Sequence, residues 1–108
     1  MTATYKVLAQ VAPVATTLTD AYTVPAAKST VISSVVICNT GTATTFRLAV
    51  AVAGAADNIK QYLMRDVSVA GNDSCVLTMG ITLATTDVIR VYAQAATLSF
   101  NFFGSENT

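Results

Sequence analysis

Apolar side chains recur at nearly every second position along this chain, and turn-forming residues interrupt the alternation at roughly ten-residue intervals. A period of two places alternate side chains on opposite faces of an extended strand, whereas a helix needs apolar residues three and four positions apart. The apolar residues are mainly Ala and Val and the polar ones mainly Thr and Ser, which suit a pleated surface. The sequence therefore predicts an all-β protein.

The alternation predicts about eight strands in one domain spanning residues 1–108. The predicted strands are residues 4–11, 18–24, 29–39, 44–52, 59–69, 74–79, 88–94 and 98–103. Residues 53–58 form a loop with room for a short helix, and residues 82–86 form a second loop. We expect four apolar residues of the first strand to share one face: Tyr5, Val7, Ala9 and Val11.

The longest predicted strand, residues 29–39, is apolar on both faces near its end, which indicates a central strand covered on both sides. The turn at residues 39–42 contains Asn and Gly, which tolerate positive φ, and predicts a hairpin with residues 44–52. Residues 88–94 and 98–103 are expected to form a last hairpin. Short connections favour antiparallel pairing. We therefore predict an antiparallel two-sheet β-sandwich of the jelly-roll or immunoglobulin-like type.

The charge balance is six basic residues against six acidic ones, for a formal net charge of zero. A chain without a basic stripe does not attract nucleic acid by counterion release. Because few charges are available to cover it, much of the surface must be apolar or hydroxylated, which favours a subunit covered by neighbours and predicts a homo-oligomer. No stretch is long enough to cross a bilayer, and the first residues lack a signal-peptide layout. We expect no membrane partner and synthesis in the cytoplasm.

Two cysteines, Cys38 and Cys75, each fall inside a predicted strand. They either form one disulfide between strands or remain free thiols packed as small hydrophobic residues. Free thiols are favoured, since disulfides are uncommon in cytosolic proteins.

The chain has no histidine, which removes the commonest general base and metal ligand and every Ser-His or Cys-His pair. Asp57, Asp73 and Asp87 fall in predicted turns, where we expect them to bond the local backbone. The segment from Gly71 to Ser74 resembles part of a calcium loop but lacks its regular acidic positions. We therefore predict a protein that is not an enzyme and holds no metal or cofactor.

Four residues are candidates for contacts between subunits. Phe103 falls on the opposite face from Phe100 and Phe102, which we place in the core with Phe46. An exposed phenyl ring there would require cover from another chain. Tyr5 is a second bulky candidate near the start of the chain. Arg65 and Asp66 form either an exposed strand charge or an ion pair across an interface.

Two further tyrosines, Tyr62 and Tyr92, fall within predicted strands. Aromatic rings are common platforms in carbohydrate sites, so the two residues give a weaker, alternative reading of the chain as a glycan-binding module.

Six segments distributed over nearly the whole chain resemble small virion proteins of tailed bacteriophages, cyanophages included. They are YKVLAQ (5–10), YTVPA (22–26), SVVICN (34–39), TFRLAV (45–50), GITLATTD (80–87) and FNFFGSE (100–106). These are strand and turn segments rather than active-site motifs. The resemblance implies a β-sandwich module that decorates or cements a capsid, or that builds neck, tail or fibre parts.

The resemblance thus implies a structural protein of the virion, and capsid decoration or cementing is the first expectation. Its expected partners are other virion proteins, such as the major capsid protein or a neck or tail protein, and further copies of itself. A neck, tail or fibre component is the alternative of the same class. A glycan-binding module for host attachment is the alternative of another class.

Overall fold

The computed structural model describes residues 2–108, and their regular structure is almost entirely β. The strands are β1 (Ala3–Val11), β2 (Thr19–Thr23), β3 (Ser29–Asn39), β4 (Thr44–Ala51), β5 (Tyr62–Val69), β6 (Asp73–Leu77), β7 (Ile81–Leu83), β8 (Val88–Ala93) and β9 (Leu98–Asn107). Two single turns of 3₁₀ helix, Val52–Gly54 and Ile59–Gln61, lie in the connection between β4 and β5. No helix within residues 2–108 is long and apolar enough to cross a bilayer.

The strands form two antiparallel sheets packed as a sandwich, which confirms the predicted fold class. Sheet A has the order β1-β9-β3-β6, with β7 also paired to β3, and sheet B has the order β2-β8-β4-β5. Five antiparallel pairs are nested along the chain: β1 with β9, β2 with β8, β3 with β7, β3 with β6, and β4 with β5. This nesting is that of a ribbon rolled on itself, so the topology is the jelly roll rather than the immunoglobulin type.

Both predicted hairpins are wrong, because each joins strands that lie in different sheets. β3 belongs to sheet A and β4 to sheet B, and likewise β8 belongs to sheet B and β9 to sheet A. Each short connection therefore crosses the sandwich instead of turning back within one sheet. The antiparallel partners of β3 and β9 come from distant parts of the chain, where turn chemistry gives no signal.

Two β-bulges change which side chains face the core in sheet A. The β1–β9 register shifts between Val7 and Ala9, and the β3–β9 register shifts between Ile32 and Ser34. An extra residue reverses the alternation beyond it. The expectation of one shared face along the first strand is therefore wrong: Tyr5 and Val7 are exposed, whereas Ala9 and Val11 pack on the core.

The strand β3 is central in its sheet, as expected, but only one of its faces is fully buried. Ile32, Val35 and Ile37 are buried, whereas Val31 is exposed and Cys38 is half-buried on the other face. The prediction of cover on both sides is wrong for this chain. The apolar outer face of β3 is instead part of the molecular surface.

The core between the sheets contains the aromatic side chains expected there. Phe46 from sheet B and Phe100 from sheet A meet edge to face, with ring centroids 6.0 Å apart, and Phe102 is also fully buried. Ile81 and Leu83 of β7 complete the core, although residues 82–86 were expected to be a loop. Gly80 lies between β6 and β7, so the strand predicted at residues 74–79 corresponds to β6 alone, and β7 is an additional strand that was not predicted from the sequence.

Cys38 and Cys75 are free thiols, as favoured from the sequence. Cys75 lies opposite Ile37 and packs on the core, whereas Cys38 lies opposite Ser74 on the outer face. Side chains on opposite faces of a sheet point apart and cannot form a disulfide without backbone movement.

Candidate functional site

The outer face of sheet A has an unusual composition. The register places six apolar side chains on it, from all four principal strands: Tyr5, Val7, Val31, Val36, Val76 and Phe103. Most of the residues between them are Ser, Thr and Asn, such as Ser105 between Tyr5 and Val31 and Asn101 beside Val36, and Gln10 and Cys38 lie on the same face. We call this surface the A face.

The A face carries no charged side chain among the residues that the structure describes. Lys6 of β1 and Glu106 of β9 point to the other side of the sheet, where Lys6 Nζ lies 3.1 Å from Glu106 Oε1. Exposed apolar residues without interspersed charge are typical of surfaces that another molecule covers.

Phe103 lies at the centre of the A face, on the outer side as the sequence predicts. It is half-buried between Val7 of β1 and Ser34 of β3, its register partners on the two sides. Both bulges lie directly beside it, and Ser33 Oγ donates a hydrogen bond to the Phe103 carbonyl oxygen at 3.1 Å. The local backbone thus directs the ring to the outer side of the sheet.

Tyr5 is the most exposed of the large apolar side chains, with 83% of its surface accessible. It lies on β1, which is an edge strand of sheet A, two residues from Val7 on the same face. The structure therefore brings two of the four candidate residues, Tyr5 and Phe103, onto one surface.

Arg65 and Asp66 lie elsewhere, on β5 at an edge of sheet B, and they do not pair with each other. Asp66 Oδ1 accepts a hydrogen bond from Arg47 Nε at 2.8 Å, and the Arg65 guanidinium stacks over the Tyr62 ring at 4.9 Å. Arg47 also stacks over Tyr92, at 4.4 Å. Arg47, Arg65 and Asp66 thus each have a partner within the chain, and sheet B carries charged side chains where the A face has none among the described residues.

The two tyrosines considered as a sugar platform lie on this charged surface. Each has a guanidinium over its ring, and the Tyr62 hydroxyl also donates a hydrogen bond to Asp57 at 2.9 Å. A sugar ring stacking on either tyrosine would have to displace an arginine. This arrangement does not favour the glycan-binding alternative.

Asp87 and Asp73 bond the local backbone, as predicted. The Asp87 carboxylate accepts from the amides of Ala84 and Ala53, and Asp73 accepts from the amide of Ser74. Asp57 differs, because its partner is the hydroxyl of a tyrosine rather than the backbone.

Two cavities open at turns and connections of the sandwich. One of about 240 Å³ lies at the turn after β3, lined by Asn39, Asn72 and Asp73 among others, and one of about 480 Å³ lies beside the β4–β5 connection, lined by Val50 and Gln61 among others. Within residues 2–108, no three metal-binding side chains come together. The cavities therefore offer no cluster of reactive groups.

Glu106 is a buried carboxylate that no pattern in the sequence marks. It is 5% exposed and accepts a hydrogen bond from the Tyr22 hydroxyl at 2.5 Å, while Lys6 and Lys28 lie 3.1 and 3.6 Å away. Thr30 bonds the same tyrosine at 2.8 Å. These contacts join β1, β2, β3 and β9 at one end of the sandwich. They also stabilise the negative charge of Glu106, which would be costly to bury without partners.

The Glu106 network gives a pH prediction. The Tyr22 hydrogen bond and then the Lys6 contact hold the pKa of Glu106 below its usual value of 4.5, so its stabilising contribution is present above pH 4.5 and lost as the pH falls through the lowered pKa. The unfolding free energy of Glu106→Gln should be lower than that of the wild type at neutral pH. The difference should shrink in acid, measured by urea unfolding across a pH series.

Tyr22, the hydrogen-bond partner of Glu106, has a raised pKa and gives a second prediction at alkaline pH. Burial, and next the bond to Glu106, raise the pKa of Tyr22 to about 12, so its contribution persists below pH 10.0 and is lost as the pH rises through about 12. Tyr22→Phe is the matched control, because it keeps the ring and removes the hydroxyl that lowers the pKa of Glu106 most. A Glu106→Gln difference that is constant from neutral pH to acid would contradict this account.

Fold and surface together define the protein as a small jelly-roll module with one uncharged, apolar sheet face and one charged face. No family model, curated protein or solved structure matches the chain.

Proposed function

We propose that the protein is a non-enzymatic structural subunit of a tailed-phage virion, and that it decorates or cements the capsid through the A face. The observation that carries this proposal is the absence of charge on that face among residues 2–108, while Tyr5, Val7 and Val76 remain 83%, 47% and 61% exposed. The resemblance of its strand and turn segments to small phage virion proteins supports the same conclusion.

The A face is large enough for such a role. Sheet A has four principal strands, and β1 alone has nine residues. At about 4.8 Å between strands and about 3.3 Å per residue, the face measures roughly 20 by 30 Å. A standard interface buries roughly 800 Å² per partner, which a face of this size approaches once side-chain relief is included.

The proposed mechanism is burial of apolar surface against a matching uncharged surface of the capsid, at about 25 cal/mol for each Å² removed from water. An uncharged face loses no ion hydration when it is covered, unlike the arginine and aspartate side chains of sheet B. A subunit that binds only the assembled shell stabilises it by mass action, without chemistry.

Incorporation into particles tests the proposal. Val76→Lys places a charge on the A face at an exposed position and is expected to reduce the protein's occupancy in gradient-purified tailed-phage particles at least roughly tenfold. Occupancy is measured by quantitative mass spectrometry of particles grown with each variant. The position of the chain's density in the particle separates a capsid role from a neck, tail or fibre role.

Leu63→Lys is the matched control, because Leu63 is 46% exposed but belongs to β5 of sheet B. It should enter particles at the wild-type level. Equal occupancy of the two variants would show that the A face is not the docking surface, and absence of the wild-type protein from purified particles would overturn the virion role altogether.

A further inference from the structure

β1 forms an open edge of sheet A. One edge of β1 pairs with β9, from Ala3 opposite Asn107 to Val11 opposite Phe100. No other strand within residues 2–108 pairs with its other edge. An open edge presents alternate N–H and C=O groups that can bond another strand.

The other edges have features that block such pairing. β2 has five residues, includes the exposed Asp20 and is followed by Pro25. β5 contains Arg65 and Asp66, and Asp66 has a left-handed φ of 55° that distorts the strand. β6 and β7 have five and three residues. Short strands, charges and irregular backbone usually protect sheet edges from pairing with other chains. Among these edge strands, β1 alone is nine residues long and has few of these protective features.

The regular, exposed part of β1 is residues 3–7, since the bulge begins after Val7. Lys6 is the one charged residue of this segment. Its ammonium lies 3.1 Å from Glu106, so the chain itself compensates the charge. Tyr5, at the centre of the segment, and Val7 project from the same face and remain exposed.

We propose that β1 pairs antiparallel with β1 of a second copy, about a two-fold axis at Tyr5. This register pairs Ala3 with Val7, Thr4 with Lys6, and Tyr5 with the same residue of the other copy. It keeps the two Lys6 side chains from lying directly opposite, where like charges destabilise a strand pair.

The charges favour a second copy of the chain as the partner that pairs with the open edge of β1. The segment offers no uncompensated charge for an acidic or basic partner to recognise, and a self-complementary strand satisfies both edges in one closed contact. The pairing makes one sheet across two chains and joins their A faces into a continuous uncharged surface. It deepens the proposed function and rests on it, since a doubled face gives a capsid twice the area to bind.

Disulfide trapping tests the register. In a Cys38→Ser, Cys75→Ala background, Tyr5→Cys should form a covalent dimer on mild oxidation, because directly opposed residues have Cβ atoms about 4.5–5.5 Å apart. Val14→Cys is the matched control, since Val14 is 71% exposed but lies between β1 and β2. Equal trapping of the two variants would overturn the proposed register.

Sedimentation equilibrium of the otherwise unmodified chain tests the pairing itself. The wild type should dimerise with rising concentration, and Val7→Lys should raise the dissociation constant at least roughly tenfold, whereas Val14→Lys should not. A wild type that stays monomeric, or a dimer unaffected by Val7→Lys, would overturn the inference. A protein that dimerises in solution but is absent from purified particles would contradict the proposed function and leave the pairing intact. A protein that enters particles as a monomer would contradict the pairing and leave the proposed function intact.

Discussion

Replacing Gly104 with alanine is expected to lower the unfolding free energy by about 3 kcal/mol or more. A Cβ atom at this position would lie 2.0 Å from the carbonyl oxygen of Val31 and 3.0 Å from Cα of Ile32. Both atoms belong to the backbone of β3, so no side-chain rotation relieves the clash. The strands β9 and β3 would have to separate at the centre of sheet A, beside the bulge at Ser33.

Gly80→Ala is the matched control for this prediction. A Cβ at Gly80 has no neighbour within 4 Å among residues 2–108, and neither glycine has a positive φ. The same chemical change should therefore alter stability by no more than about 0.5 kcal/mol there. Urea unfolding of the two variants measures both values, and similar stabilities would show that the close approach of β9 to β3 is wrong.

The strand positions and the aromatic core were predictable because they depend on local alternation. The bounds of β3 are those predicted, and Phe46, Phe100 and Phe102 are buried as expected. Burial of one face is the main stabilising term of a sheet, so it leaves a period of two in the sequence. The all-β class and the two-sheet architecture follow from that signal alone.

The prediction of which side chains point to the core was wrong where the backbone departs from regular strand pairing. The extra residues at Leu8 and Ser33 shift the register against β9, and nothing in the neighbouring composition marks either position. A bulge is fixed by what the partner strands require, here the close packing around Phe103 and Gly104. This information lies about 70 residues or more away in sequence, as the hydrogen bond from Ser33 to Phe103 illustrates.

The sequence predicted individual residues of the candidate surface, but it did not predict which of them lie on the same face. Phe103 and Tyr5 lie on one face because β1 pairs with β9, whereas Arg65 and Asp66 belong to the other sheet. The uncharged character of the A face requires knowing that Lys6 turns toward Glu106, a contact between residues 100 positions apart. Charge patterning along one strand does not reveal such a long-range pair.

The crossing from β3 to β4 depends on one buried side chain, Asn39, and Asn39→Asp is expected to destabilise the protein by about 3–5 kcal/mol. The Asn39 amide nitrogen lies 2.8 Å from the carbonyl oxygen of Thr42, 3.3 Å from that of Val69 and 3.2 Å from that of Ala70. A carboxylate there would place negative charge against three carbonyl oxygens, at a position 1% exposed.

The destabilisation of Asn39→Asp should be smaller at acidic pH, because a protonated carboxyl group again donates one hydrogen bond to these carbonyl oxygens. Asn72→Asp is the control, since Asn72 lies in the adjacent turn but is exposed, and its backbone amide rather than its side chain bonds Gly41. Thermal unfolding of both variants at neutral and acidic pH gives the comparison. If the two variants unfold alike, Asn39 does not hold the crossing, and the two sheets are joined there by the turn backbone alone.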